Sequence, residues 1–101
     1  MVIKMGSFKD KVVVVTGAGG GLGKAHAIEF AKRGAKVVVN DLGGSDDGRG
    51  KSDMADLVVD EIRSFGGEAI ANKASVADKK GAQSIVDDAV NTYGTLDILV
   101  N

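Results

Sequence analysis

The stretch that most limits the fold is Val12-Val13-Val14-Val15, four β-branched residues with no polar position among them. A strand that faces water on one side alternates apolar and polar residues, because successive side chains point to opposite faces. A strand with no polar position needs cover on both faces, as in a parallel sheet between two layers of helices. The same character recurs in Lys36–Asn40 (KVVVN), and in shorter or less regular form in Ala69–Ala71 and Leu96–Val100 (LDILV). Helical spacings lie between these runs. Leu22–Arg33 places Ala27, Phe30, Ala31 and Gly34 on one face and Lys24, Glu29, Lys32 and Arg33 elsewhere. Ser52–Phe65 is expected to bury Ala55, Val58, Ile62 and Phe65, and Asp78–Tyr93 to bury Ala82, Ile85, Val86, Ala89 and Tyr93. Gly34, Gly66-Gly67 and Gly94 are natural stops for the three helices. The order is β-α-β-α-β-α-β. Short connections and right-handed crossovers then predict a three-layer α/β fold with a parallel sheet of order 3-2-1-4, half of a doubly wound sheet.

The totals restrict function. A chain of 101 residues holds at most one domain. A formal net charge of −1 makes no electrostatic case for nucleic acid or an anionic membrane. With no cysteine there is no disulfide, thiolate metal site or cysteine nucleophile. No apolar run approaches the roughly 18 residues of a membrane span. The N-terminus, MVIKMGSFKDK, lacks the apolar core of a secretory signal, and its first seven or so residues are expected to be a loose lead-in. Leu99-Val100-Asn101 is not a Ser-Lys-Leu type tripeptide.

Between the first strand and the first helix lie five glycines: Gly17, Gly19, Gly20, Gly21 and Gly23. Such a loop can cradle phosphate in two ways. A P-loop ends in Gly-Lys-Ser/Thr, the hydroxyl binding magnesium. Gly23-Lys24 is followed by Ala25, which has no hydroxyl to offer, so a phosphotransferase is disfavoured. A dinucleotide site instead needs bare backbone between strand and helix, so that the pyrophosphate meets the helix N-terminus. The Gly-x-Gly-x-x-Gly frame starting at Gly17 fails at Leu22, whereas Thr16-Gly17-x-x-x-Gly21-x-Gly23 fits. A ligand-free turn also uses glycine, so the loop needs a second signal. Asp41, eighteen residues after Gly23, is that signal. An acidic residue near this spacing accepts from the adenosine ribose hydroxyls and repels a 2′-phosphate. It favours NAD over NADP, although a turn-capping Asp is the competing reading. Arg49 and Lys51, in the polar Asp41–Lys51 loop, could meet a 2′-phosphate but are expected to be solvated.

Taken together, Thr16-Gly17-Ala18-Gly19-Gly20-Gly21-Leu22-Gly23 resembles the cofactor motif of the short-chain dehydrogenase/reductase family, whose fold is Rossmann-type. Asp97-Ile98-Leu99-Val100-Asn101 resembles the family's strand leading into an Asn-Asn-Ala-Gly motif, of which only the first Asn is present. "VVVNDLGG", "ADLVVDEI", "GGEAIAN" and "YGTLDILVN" are similar to the dehydrogenase domains of the family's peroxisomal multifunctional branch. The resemblance covers nearly all of this chain but well under half of such a domain. Residues 1–101 are therefore expected to be a partial NAD-binding domain, truncated at the fourth strand.

The resemblance implies roles. Gly17, Gly20, Gly21, Leu22 and Gly23 would shape the pyrophosphate turn, and Asp41 would bind the adenosine ribose. Ser75 and Val76 would lie along the adenine, and Asn101 would order the nicotinamide side. NADP enzymes of the family often carry Arg where this chain has Gly20. Ala74 departs from the acidic or amide residue usual beside the adenine amino group, which removes about 1 kcal/mol if one hydrogen bond is lost. By the same resemblance the full-length protein oxidises a 3-hydroxyacyl-CoA to the 3-ketoacyl-CoA in fatty-acid β-oxidation. It would be a homodimer and peroxisomal, and a cytoplasmic location is the alternative. The family's catalytic Ser, Tyr and Lys have no counterpart here, so this chain alone is not expected to catalyse the reaction. A non-catalytic NAD-binding module, or a vestigial fragment, is the alternative function.

The remaining chemistry-bearing residues read as structural. His26, the single histidine, has no triad partner in the sequence and is expected to be partly exposed. Tyr93 has no Lys four residues on and reads as core. Ser45-Asp46-Asp47-Gly48 is out of register for a calcium loop. Asp87 and Asp88 are expected on a solvated helix face.

Overall fold

The computed structural model describes residues 8–42 and 54–101. Seven elements alternate: β1 (Val12–Val15), α1 (Gly21–Lys32), β2 (Lys36–Asn40), α2 (Met54–Ser64), β3 (Glu68–Asn72), α3 (Lys79–Tyr93) and β4 (Ile98–Val100). All strand pairs are parallel and the order is β3-β2-β1-β4, as the pattern predicts. Most of the Asp41–Lys51 loop, with Arg49, Lys51 and the Ser45–Gly48 stretch, and the lead-in through Ser7 lie outside the described residues.

The valine runs are sandwiched as their composition demands. Val13, Val15, Val37 and Val39 face one side, where Ala27 and Ala31 of α1 and Ala55, Val58, Val59 and Ile62 of α2 cover them. Val12, Val14 and Val38 face the other, against Ile85 and Ala89 of α3. Each fully buried valine contributes roughly 1.5–3 kcal/mol by leaving water, the main stabilising term in a chain of this size. The exit from α1 is a Schellman turn: the Gly34 N–H donates to the Ala31 carbonyl (3.0 Å) and the Ala35 N–H to that of Phe30 (3.1 Å). Gly34 therefore follows the helix instead of lying on its buried face.

Several expectations need correcting. Phe65 is 40% exposed, because α2 stops at Ser64 and the ring lies in the turn beneath Lys32, whose Nζ is 5.7 Å from its centroid. Ala82 and Val86 are exposed, although they share the helical spacing of Ile85 and Ala89. With Val76, Leu96, Leu99 and the flanking Thr16 and Asn101, they line an open cleft of about 220 Å³ beside β4. The described sheet ends at β4, so it offers that stripe of α3 no strand to pack on. The fourth strand begins at Ile98, not Leu96. Asp97 Oδ2 accepts the Val12 N–H at 2.8 Å, and the Asp97 N–H donates to the Val12 carbonyl at 2.9 Å, so this side chain stands in for a ladder bond. The third strand runs one residue further at each end than the apolar run, out to Glu68 and Asn72.

Candidate functional site

The C-terminal ends of β1, β2, β3 and β4 open onto one rim, the place where open α/β sheets bind ligands. The chain leaves β1 through Thr16, whose N–H donates to the Val100 carbonyl at 2.9 Å. The Thr16 hydroxyl also lies 3.1 Å from Asn101 Oδ1 and 3.3 Å from the Val100 carbonyl, so Asn101 is tied to the root of the glycine loop. The Ala18 N–H donates to the Asn40 carbonyl at 2.8 Å, anchoring the loop to the end of β2.

Inside that frame the glycines do different things. Gly17 (φ +64°) and Gly21 (φ +57°) take left-handed backbone, and a Cβ on either would meet nothing within 4 Å. Their backbone borders open space. Gly23 is the reverse case, since a Cβ there would collide with the Gly17 carbonyl oxygen. Only a bare α-carbon lets the first turn of α1 lie on the loop. A Cβ on Gly20 would meet the Met54 methyl at 3.4 Å, an ordinary contact. Gly20 is the N-cap of α1, with no side-chain cap and no acidic residue in the first turn. The positive end of that helix, with its first N–H groups, therefore has no carboxylate from its own first turn against it, and such an end can hold an anion. Leu22, 74% exposed, projects from this turn.

Asp41 comes to the same loop. Its Oδ2 accepts the Gly19 N–H at 2.8 Å, and its own N–H donates to the Asn72 carbonyl at 3.0 Å. A side chain at 19 would reach within 2.7 Å of Asp41 Oδ2 and 2.8 Å of the Met54 Cβ. The sequence motif gives Gly19 no role of its own. The three consecutive glycines were the available signal, but the motif's spacing draws attention to Gly17, Gly21 and Gly23. Ser75 and Val76 follow β3 on the same rim. Ser75 Oγ accepts the Ala77 N–H (3.2 Å), while Val76 is 51% exposed. Ala74, between them and the strand, packs against the α3 side of the core. A small cleft of about 140 Å³ joins Gly17, Leu22 and Gly23 to Asn101, with His26 at its border. His26 is exposed, as its position predicts.

The rim thus collects Gly17, Gly20, Gly21, Leu22, Gly23, Asp41, Ser75, Val76 and Asn101. Two sequence features belong elsewhere. Tyr93 lies at the opposite end of the sheet, near Lys36 at the start of β2. Burial, followed by the negative charge of Glu68, pushes its pKa up, with Arg63 pulling weakly the other way. A phenol held protonated in this way is the opposite of a general base. Asp88 is not simply solvated, because its Oδ2 accepts from Asn72 Nδ2 at 2.7 Å, whereas Asp87 accepts from Gln83.

The geometry has close counterparts. The short chain dehydrogenase family model matches residues 11–101. Peroxisomal multifunctional enzyme A of Dictyostelium discoideum is 60% identical over 96 residues, which are 94% of this chain and 21% of that protein. The peroxisomal hydratase-dehydrogenase-epimerase of Saccharomyces cerevisiae is 56% identical over 96 residues, 94% of this chain and 10% of that protein. Among solved structures, 7 alpha-hydroxysteroid dehydrogenase complexed with NADH and 7-oxo glycochenodeoxycholic acid superposes with a TM-score of 0.85 at 37% identity, covering 100% of this chain and 37% of that one. The chain therefore spans a tenth to about a fifth of these two curated relatives.

Proposed function

Because the chain belongs to the short chain dehydrogenase family, we propose that it is the cofactor-binding part of an NAD-dependent dehydrogenase. The observation that carries the reading is the Asp41–Gly19 hydrogen bond, which sets a carboxylate against the glycine loop at the uncapped start of α1. The fit is physical. Gly17 and Gly21 leave room where a pyrophosphate would lie, and the α1 N-terminus supplies dipole and N–H groups for its charge. Asp41 would accept from the ribose 2′- and 3′-hydroxyls, and its charge opposes a 2′-phosphate within a few ångströms. Ser75 and Val76 would flank the adenine, Val76 through apolar contact. Asn101, held by Thr16, would order the nicotinamide side. When bound, the nicotinamide supplies a hydride acceptor or donor. The residues described here bind and orient it.

The similarity to peroxisomal multifunctional proteins, one of them a hydratase-dehydrogenase-epimerase, supports dehydrogenase activity and a peroxisomal location for the whole protein, and the substrate proposed for it is a 3-hydroxyacyl-CoA, oxidised to the 3-ketoacyl-CoA. NAD+ and NADP+ titrations of the purified protein and of Asp41→Asn test the cofactor assignment. NAD+ should bind at least tenfold more tightly to the native protein, a difference of about 1.4 kcal/mol. Asp41→Asn, which keeps an acceptor but removes the charge, should narrow that gap mainly by improving NADP+ binding. Equal affinity of the native protein for the two dinucleotides would overturn the NAD assignment. Reduction of NAD+ on adding 3-hydroxyacyl-CoA to the full-length protein tests the substrate.

A further inference from the structure

Beneath the adenosine end of the proposed site lies a polar network to which the preceding reading gives no role. Asn40 and Asn72 are the buried polar side chains among the described residues, 3% and 5% exposed. They face each other as partners in the parallel β2–β3 register. Asn40 Nδ2 donates to Asn72 Oδ1 (2.9 Å), to the Asn72 carbonyl (3.3 Å) and to the Ala74 carbonyl (2.9 Å). Asn72 Oδ1 also accepts the Ala74 N–H at 2.9 Å. Asn72 Nδ2 reaches outward to Asp88 Oδ2 (2.7 Å) and Ser84 Oγ (3.3 Å) on α3. The main chain of the same two residues holds the rest of the rim, the Asn40 carbonyl taking the Ala18 N–H and the Asn72 carbonyl the Asp41 N–H.

Two buried amides are a costly way to fill this space. A β-branched pair would suit strand backbone better and would need no partners. What the amides add is direction, because a satisfied buried network specifies one arrangement of the segments it joins. Three segments hang from this pair: the glycine loop, Asp41 and the turn through Ala74 to Val76. The pair engages the Ala74 backbone on both sides, its N–H through Asn72 Oδ1 and its carbonyl through Asn40 Nδ2. Gly81 of α3 sits so close to Ser75 that a Cβ would collide with its carbonyl oxygen, which supports the turn from the other side.

We infer that Asn40 and Asn72 are positioning residues for cofactor selection. They hold Asp41 in register with the glycine loop and the 74–76 turn, and so set how strongly the site prefers a ribose 2′-hydroxyl to a 2′-phosphate. This rests on the dinucleotide reading above. Loosening the pair lets the ends of β2 and β3 shift against each other, and with them the Asn72 carbonyl that holds the Asp41 N–H; the carboxylate then leaves its place beside Gly19, and discrimination falls more than overall binding does.

The experiment is the ratio of NADP+ to NAD+ dissociation constants, by calorimetry on the purified protein, for the native sequence, Asn72→Ala and Asp88→Ala. In Asn72→Ala the NAD+ constant should rise about tenfold and the NADP+ constant by less than about twofold, so the ratio falls about fivefold or more. Asp88→Ala removes only the outer acceptor and should lower the ratio about twofold. A purely structural role weakens both dinucleotides together. An unchanged ratio in a folded Asn72→Ala therefore overturns the inference. If that variant does not fold, Asp88→Ala decides alone, and an unchanged ratio there overturns it equally. Failure of the native protein to bind either dinucleotide removes the cofactor reading itself. A native preference that survives in the variants removes only the role of the asparagines.

Discussion

At the scale of single residues, the site is governed by where a side chain is absent. Gly23 packs its α-carbon on the Gly17 carbonyl, so a methyl there must push the first turn of α1 off the loop. Gly23→Ala should lower the unfolding free energy by about 1–3 kcal/mol, the range for inserting a methyl into a filled space, and should weaken NAD+ binding as well. Thermal melts with and without NAD+ check both effects. Tyr93 gives a pH prediction. Burial holds its folded pKa above the ordinary phenol value of 10.0, so near that pH the folded state holds the proton more tightly than the unfolded one. The stabilisation is fully present below the unfolded value and is lost as pH rises through the folded one. Denaturant titrations should show stability falling above about pH 10, and Tyr93→Phe should remove part of that alkaline loss while leaving NAD+ affinity unchanged.

At the scale of elements, the helices stand on different supports. The start of α1 is left for a ligand, while α3 has its own cap: Asp78 Oδ1 accepts the Lys80 N–H at 2.8 Å. Asp78→Ala should therefore cost about 1 kcal/mol of stability, read from the shift in denaturation midpoint. Because α3 also braces the 75–76 turn through Gly81, the fraying should reach Val76 as faster amide exchange there. The strands illustrate what periodicity can and cannot reveal. The β1 run is legible because it is apolar at every position, and β2 because three consecutive valines stand at its centre. The ends of β3 are not, because Asn72 looks like a terminator until Asn40 is known to lie opposite it in the sheet.

For the whole molecule, the balance of faces matters most. The sheet face under α1 and α2 is closed by apolar side chains, whereas the α3 face is covered only in part. Val76, Val86 and Leu99 stay exposed around the cleft beside β4, and β4 is an edge strand. Such an edge, flanked by open apolar surface, invites association. The 101-residue chain should self-associate as its concentration is raised, and Leu99→Lys should shift sedimentation toward the monomer. A monomer in both cases would show that the exposed stripe is tolerated.

The order of elements, the parallel sheet and the likeness to dehydrogenases are written along the chain, because they follow from short-range signals: β-branched runs, helical spacing, and glycines at a strand-to-helix turn. The sequence also points to Asp41 through its distance from Gly23. Which of the apolar helix positions are covered depends on long-range packing. Ile85 and Val86 share a helical stripe, yet only Ile85 has a strand beneath it. The same packing decides that Asp41 meets Gly19, that Asp97 completes the ladder of β1, and that Asn40 and Asn72 join across two strands. Each of these contacts pairs residues far apart along the chain, and nothing local in either partner announces the other. The fold brings them together, and the geometry of the rim depends on it.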